Sequence, residues 1–131
     1  MRTRITILLS ILSFSILVSC TTDSIKSGVK GNLQYGEGSC LFDHSFWTYT
    51  PYSGYVYFVN TSIKDSFNGS NSDLLKLSDS TMSNGGKFSA KLEPGNYYIC
   101  IREYIIFSQE NLFIVQPNLT TDQNFWIYKC I

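Results

Sequence analysis

Residues 85–101 read GGKFSAKLEPGNYYICI, and their spacing decides the fold class. Phe88, Ala90 and Leu92 alternate with Lys87, Ser89, Lys91 and Glu93. A period of two puts the apolar set on one face of a strand and the polar set on the other. Residues 83–86, SNGG, precede this run, and the glycines supply the positive φ that a tight turn needs. Pro94 and Gly95 suit the central positions of a type II turn, proline fixing φ at the first and glycine accepting φ > 0 at the second. A second strand is expected over NYYICIR (96–102), with Tyr97, Ile99 and Ile101 on one face and Tyr98, Cys100 and Arg102 on the other.

Working outward, the same reading extends over residues 29–131. Val29, Gly31, Leu33 and Tyr35 alternate with Lys30, Asn32 and Gln34, a half-buried strand. GYVYFVN (54–60) is a continuous apolar run, LLKLSD (74–79) a weaker one, and LFIVQ (112–116) and NFWIYKCI (124–131) complete the set. No segment after Cys20 shows helical periodicity, and Ser, Thr, Asn and Gly are plentiful between the runs. The expectation is an all-β domain, a β-sandwich of about seven antiparallel strands.

The glycine, phenylalanine, leucine, proline-glycine, tyrosine order of residues 85–101 resembles that of carboxypeptidase regulatory-like domains. The resemblance implies a transthyretin-like, Ig-like sandwich in which Phe88 and Leu92 enter the core from one strand and Tyr97, Ile99 and Ile101 from the next. It implies no activity, because a fold hosts many functions. The related transthyretin-like hydrolases use several histidines and a basic C-terminal tetrapeptide; this chain has one histidine and ends YKCI.

The N-terminus has a different character. Arg2 and Arg4 precede a run from Ile5 to Val18 that is apolar apart from Thr6, Ser10, Ser13 and Ser15, the order of a secretory signal. Fourteen residues of helix span about 21 Å, short of the roughly 30 Å hydrocarbon core, which argues against a permanent span. Leu17, Val18, Ser19 and Cys20 resemble the lipobox of bacterial lipoproteins. That resemblance implies cleavage after residue 19 and acylation of Cys20, whose three chains would make membrane release negligible. Thr21, where an aspartate would retain the protein at the inner membrane of a Gram-negative cell, implies the outer membrane. Residues 20–28 then form a lipidated polar tether. Within it Asp23-Ser24-Ile25 resembles an acidic-hydroxyl-apolar O-glycosylation sequon that places a glycan on Ser24, and Asp79-Ser80-Thr81 is a weaker copy.

Without residues 1–19, which take Arg2 and Arg4 with them, eight basic side chains face ten acidic ones, a net charge of −2. The cations are scattered singly, so the footprint of a nucleic-acid binder is missing. With Cys20 acylated, Cys40, Cys100 and Cys130 remain, and three cysteines allow one bridge in three ways. Cys100 lies mid-strand, whereas Cys40 and Cys130 lie near element ends where backbone can adjust, so Cys40 with Cys130 is expected.

Residues that carry chemistry are sparse. Asp43-His44-Ser45 has the types of a catalytic triad, but sequence neighbours in an extended chain point apart and cannot relay a proton. Glu37, Cys40, Asp43 and His44 offer one imidazole and a thiol expected to be oxidised, a poor metal set. DSFNGSNSD (65–73) departs from the EF-hand pattern at Phe67 and reads as a solvated turn. No catalytic residue, metal or cofactor is assigned. What remains is FWTYTPYSGYVYF (46–58), seven aromatic rings in thirteen residues. Packing beneath a long loop accounts for most of them; exposed rings would meet a protein partner first, or a glycan on a platform of Trp47, Tyr49 and Tyr52. The expectation is therefore a lipid-anchored module that binds a protein or a glycan without turnover.

Overall fold

A computed structural model describes residues 26–41 and 43–131. The signal segment, Cys20 and the sequon at Ser24 lie outside the described residues. Among the described residues, nine strands form two sheets: β1 (Gly28–Gly38), β2 (Thr50–Pro51), β3 (Gly54–Asn60), β4 (Asp79–Ser83), β5 (Lys87–Lys91), β6 (Gly95–Ile101), β7 (Leu112–Val115), β8 (Thr120–Asp122) and β9 (Phe125–Cys130). One sheet runs β4-β3-β6-β7 with every pairing antiparallel; the other is built on the long β1. Along one edge β1 pairs antiparallel with β5 and then β2, and along the other it pairs parallel with β8 and then β9. The all-β sandwich is as expected, but two of its pairings are parallel, which a reading of consecutive hairpins does not anticipate. The bounds of β3 and the core faces of β5 and β6 agree with the alternation in the sequence.

The gap between β8 and β9 is closed by a side chain. Asn124 Oδ1 accepts from the backbone N–H of Asn32 (3.0 Å) and from its Nδ2 (3.1 Å), so β1 keeps a partner where the edge changes strand. Gly28, expected to end the tether, opens β1, and Ser27 O accepts from Leu92 N at 3.0 Å. The domain therefore takes hold of the chain by residue 27.

The SNGG turn behaves as its glycines require. Gly85 (φ 57°) and Gly86 (φ 85°) occupy its centre, and Asn84 and Lys87 exchange both backbone hydrogen bonds, the primed turn that matches strand twist. The Pro94-Gly95 expectation fails. Gly95 is extended (φ 159°) and begins β6 opposite Val115. Because β5 and β6 lie in different sheets, residues 92–94 arch across the sandwich instead of closing a hairpin. The inward set is nonetheless correct: Phe88, Leu92, Tyr97, Ile99 and Ile101 are buried together with Val29, Leu33, Val56, Phe58, Phe113, Phe125 and Ile127.

LLKLSD is not a strand. Two short helices, α1 (Thr61–Ser66) and α2 (Asn71–Lys76), connect β3 to β4, and DSFNGSNSD lies on α1, the link and the first turn of α2 instead of one solvated turn. Asn60 Oδ1 caps α1 by accepting from Ser62 N (2.9 Å). Ser70 caps α2: its Oγ accepts from Asp73 N (3.1 Å) and donates to Asp73 Oδ2 (2.7 Å). Leu74 and Leu75 pack with Val59 and Cys100 on the outer face of the β3-β6 sheet. This second apolar layer explains why Ile99, Cys100 and Ile101 are all fully buried although they are consecutive in one strand.

Candidate functional site

The end of the sandwich where β9 finishes carries most of the molecule's unusual chemistry. In β9 Phe125 and Ile127 point inward and are buried, so alternation sends Trp126 and Tyr128 to the outer face. Residues 43–49 fold over that face. Asp43 Oδ1 accepts from Ser45 N (3.4 Å) and opens a single 3₁₀ turn, His44–Phe46, which delivers Trp47 onto Tyr128. The Trp47 and Tyr128 rings are 4.1 Å apart and within 3° of parallel. His44 covers Trp47 as well at 3.9 Å, and Tyr49 meets Tyr128 edge-on at 5.7 Å.

Backbone geometry makes this stack fit. Gly36 pairs with Tyr128 across the parallel ladder, and a Cβ built on it would stand 2.2 Å from Thr48 O and 2.9 Å from the Tyr128 ring. Only glycine lets loop and ring approach β1 together. Cys40 is bonded to Cys130 with Cα atoms 5.4 Å apart, as expected, and Ile131 N donates to Gly38 O at 3.0 Å. Both ends of the loop's foundation are thus fixed.

Beside the stack, the segment after β6 turns through a 3₁₀ turn, Gln109–Asn111, against β9. A cleft of about 180 Å³ lies between it, the loop and β9, and a hollow of about 370 Å³ adjoins it, the two sharing Trp47, Tyr49, Glu110 and Trp126. Asn111 is 3 % exposed and Trp126 is 55 % exposed. Burial pushes the Tyr49 phenol above its ordinary range, with Glu110 adding to the shift.

The three rings expected to form one platform do not. Trp47 and Tyr49 line the cleft, with Trp47 flanked by His44 and Tyr128, whereas Tyr52 is buried in the main core. There its ring meets Tyr35 edge-on at 6.1 Å and its hydroxyl donates to Glu103 Oε2 at 2.8 Å. The cause is β2: Pro51 pairs with Gln34, and Tyr52 N donates to Leu33 O (3.0 Å), so the next side chain turns inward. Trp126, Asn111, Glu110 and Tyr128 were not singled out by their sequence context, although the alternation of residues 125–128 places Trp126 outward. His44 is exposed, and no three His, Cys, Asp or Glu side chains among the described residues gather as metal ligands. No helix among the described residues is long and apolar enough to cross a membrane.

No family model matches the chain, and no curated protein and no solved structure matches it. Its functional reading rests on its own residues.

Proposed function

We propose that this chain is an exported lipoprotein that acts without turnover, acylated at Cys20 and anchored in the outer membrane of a Gram-negative bacterium. Its sandwich presents the loop of residues 39–49 to a protein partner. The observation that carries export is the Cys40–Cys130 disulfide, a bond that persists in oxidising compartments and is rare in the reducing cytosol. The lipobox resemblance of residues 17–20 supplies the anchor, and Ser24, in the tether, would carry the glycan. The partner reading is supported by apolar side chains left in solvent on either side of the bridge, Leu41 at 93 % and Ile131 at 78 % exposure. Residues on a covalently pinned loop lose little freedom on association, which favours binding there.

Intact-mass measurement of the native protein tests the anchor. Loss of residues 1–19 and addition of acyl mass at Cys20 are expected, and Cys20→Ser should move the protein from the membrane to the soluble fraction. An unmodified N-terminus would overturn the reading. For the partner surface, Leu41→Glu should abolish a crosslink formed in intact cells by a photoreactive residue at position 39.

A further inference from the structure

A hollow of about 580 Å³ opens on the outer face of the β4-β3-β6-β7 sheet and shares no lining residue with the cleft at the end of β9. Strand alternation builds its floor. Val56 and Phe58 point into the core, so Tyr57 points outward, level with Ser80 of β4 and Cys100 of β6. Leu74 and Leu75 of α2 cover Cys100, and Ser72, Leu75 and Lys76, spaced i, i+3, i+4 on one side of that helix, form a wall. Arg102 and Ile105, from the segment that leaves β6, line the far side. The chain as a whole balances ten basic against ten acidic side chains, yet this lining carries Lys76 and Arg102 with no carboxylate. Among the described residues the ion pairs are Lys64 with Asp65 and Lys76 with Asp73, so the Arg102 guanidinium has no acid partner. The Lys76–Asp73 pair (2.7 Å) is exposed on both sides, and pairs of that kind are weakly held.

We propose that this hollow binds a small soluble phosphomonoester, a phosphate carried on a compact apolar body. A guanidinium offers a planar fork that fits phosphate oxygens two at a time, and an ammonium adds a point charge beside it. A phosphomonoester at neutral pH carries close to two negative charges and three acceptor oxygens, which matches two cations. A carboxylate supplies one charge and two oxygens and leaves a cation unmatched. A neutral ligand leaves both charges unused. The Tyr57 ring, Leu75 and Ile105 supply apolar surface for the body of the ligand. Size agrees, since ligand sites span about 300–1,000 Å³ and a bare inorganic ion would leave most of this volume empty. The wall stands before the ligand arrives, because Leu74 and Leu75 are buried and Ser70 caps the helix that carries them.

Arg102 is the only arginine beyond Arg4, so its side-chain Nε–H signal in a ¹⁵N spectrum, identified by its loss in Arg102→Gln, reports on the site directly. Full-length protein with its bridge intact would be titrated at pH 7 with phenyl phosphate. Phenyl glucoside, benzoate and inorganic phosphate form the comparison series, each lacking the charge, the phosphate or the apolar body. Dihexanoyl phosphatidic acid, monomeric in water, presents the same headgroup on a lipid. Saturable movement of the Arg102 signal and of the backbone amides of Ser72, Lys76 and Ser80 is expected with phenyl phosphate, at least tenfold tighter than with any of the other four. Added salt should weaken it, as for any exposed charge contact. Arg102→Gln, followed on the amides, and Ser80→Asp, which puts a carboxylate into the lining, should each weaken binding at least tenfold. Both side chains are exposed, so an unchanged melting temperature should show that the variants are folded. Stationary signals with phenyl phosphate, equal binding by a comparison ligand or the lipid, or undiminished binding by either folded variant would overturn the proposal. None of these results bears on acylation of Cys20 or on the loop at Leu41.

Discussion

Cys40 is bonded to Cys130 immediately beyond the last register pair of the parallel β1-β9 ladder, where Gly38 stands opposite Cys130. The bridge closes a loop across a sequence separation of 90, nearly the whole domain. On the loop-entropy account it contributes about 4–5 kcal/mol, a large share of the ~5–15 kcal/mol by which small domains are stable. Cys40→Ser should therefore lower the urea midpoint markedly and expose residues 39–49 to protease. Peptide mapping without reduction should recover Cys40 joined to Cys130 and Cys100 as a thiol; an alkylated Cys40 in folded protein would contradict the assignment.

The Cys100 thiol has the opposite fate. It is fully buried against Val59, Leu74 and Leu75, with Sγ 3.5 Å from Ile106 O, and burial pushes its pKa from 9.0 to about 12. Only the thiolate reacts, so iodoacetamide at pH 8 should leave Cys100 untouched until denaturant is added. The linkage has a definite sign. Between pH 9 and 12 the unfolded chain releases a proton that the folded chain keeps, so stability is intact below pH 9 and falls as pH rises towards 12. Tyr35, raised from 10.0 to about 12 by burial and then by its bond to Glu37, adds to the loss above pH 10. Urea midpoints measured from pH 8 to 11.5 should decline, and Cys100→Ala should flatten the decline between pH 9 and 10.

Tyr52 and Glu103 hold the arriving aromatic loop to the segment that leaves β6. The phenol is buried and its bond to the carboxylate is 2.8 Å, while Glu103 itself is exposed. Hydrogen bonds to charged groups contribute ~1.5–3 kcal/mol when sheltered, and solvent at Glu103 reduces this to about 1 kcal/mol. Tyr52→Phe and Glu103→Gln should each cost about that much. In a double-mutant cycle the two losses should fail to add, the signature of a shared bond.

Strands whose apolar residues alternate or run together were legible, because burial on one or both faces leaves that pattern: β1, β3, β5, β6, β7 and β9 all follow it. The missed elements are the short strands β2, β4 and β8, which carry no apolar alternation, and the two short helices. β4 is DSTMS; it is held by its backbone ladder with β3 and by Ser83 Oγ donating to Tyr52 O (2.8 Å) and Thr81 Oγ1 donating to Ser89 O (3.0 Å), contacts with no periodic signature. LLKL reads as a weak strand by its apolar run, and the signal that decides for helix is local: Ser70-Asn71-Ser72-Asp73 is a hydroxyl followed three residues later by a carboxylate, a helix start. Ser70→Ala should cost about 1 kcal/mol and raise amide exchange first in residues 71–76, because the cap serves α2 alone. At the cleft, Trp126 could be placed outward from its neighbours, but the approach of the 104–111 segment and the loss of partners at Trp47 and Asn111 arise from tertiary packing.

Gly36 joins the fold to the cleft, and its replacement should separate stability from site geometry. An alanine there would drive its Cβ into Thr48 O and the Tyr128 ring, and backbone cannot yield as a side-chain tip can. Overpacking of this kind costs about 1–3 kcal/mol. The strain falls on residues 43–49, since β1 is held along both edges by four strands while this segment, pinned only beyond its ends by the bridge and by β2, rests on ring contacts with Tyr128 and one 3₁₀ turn. Gly36→Ala should therefore stay folded, retain the Cys40–Cys130 bond and lose the contact between Trp47 and Tyr128. In a Trp126→Phe background, where Trp47 is the remaining indole, its emission should shift to longer wavelength as the ring meets water. An unchanged spectrum with an unchanged melting temperature would show that the loop does not bear on Gly36.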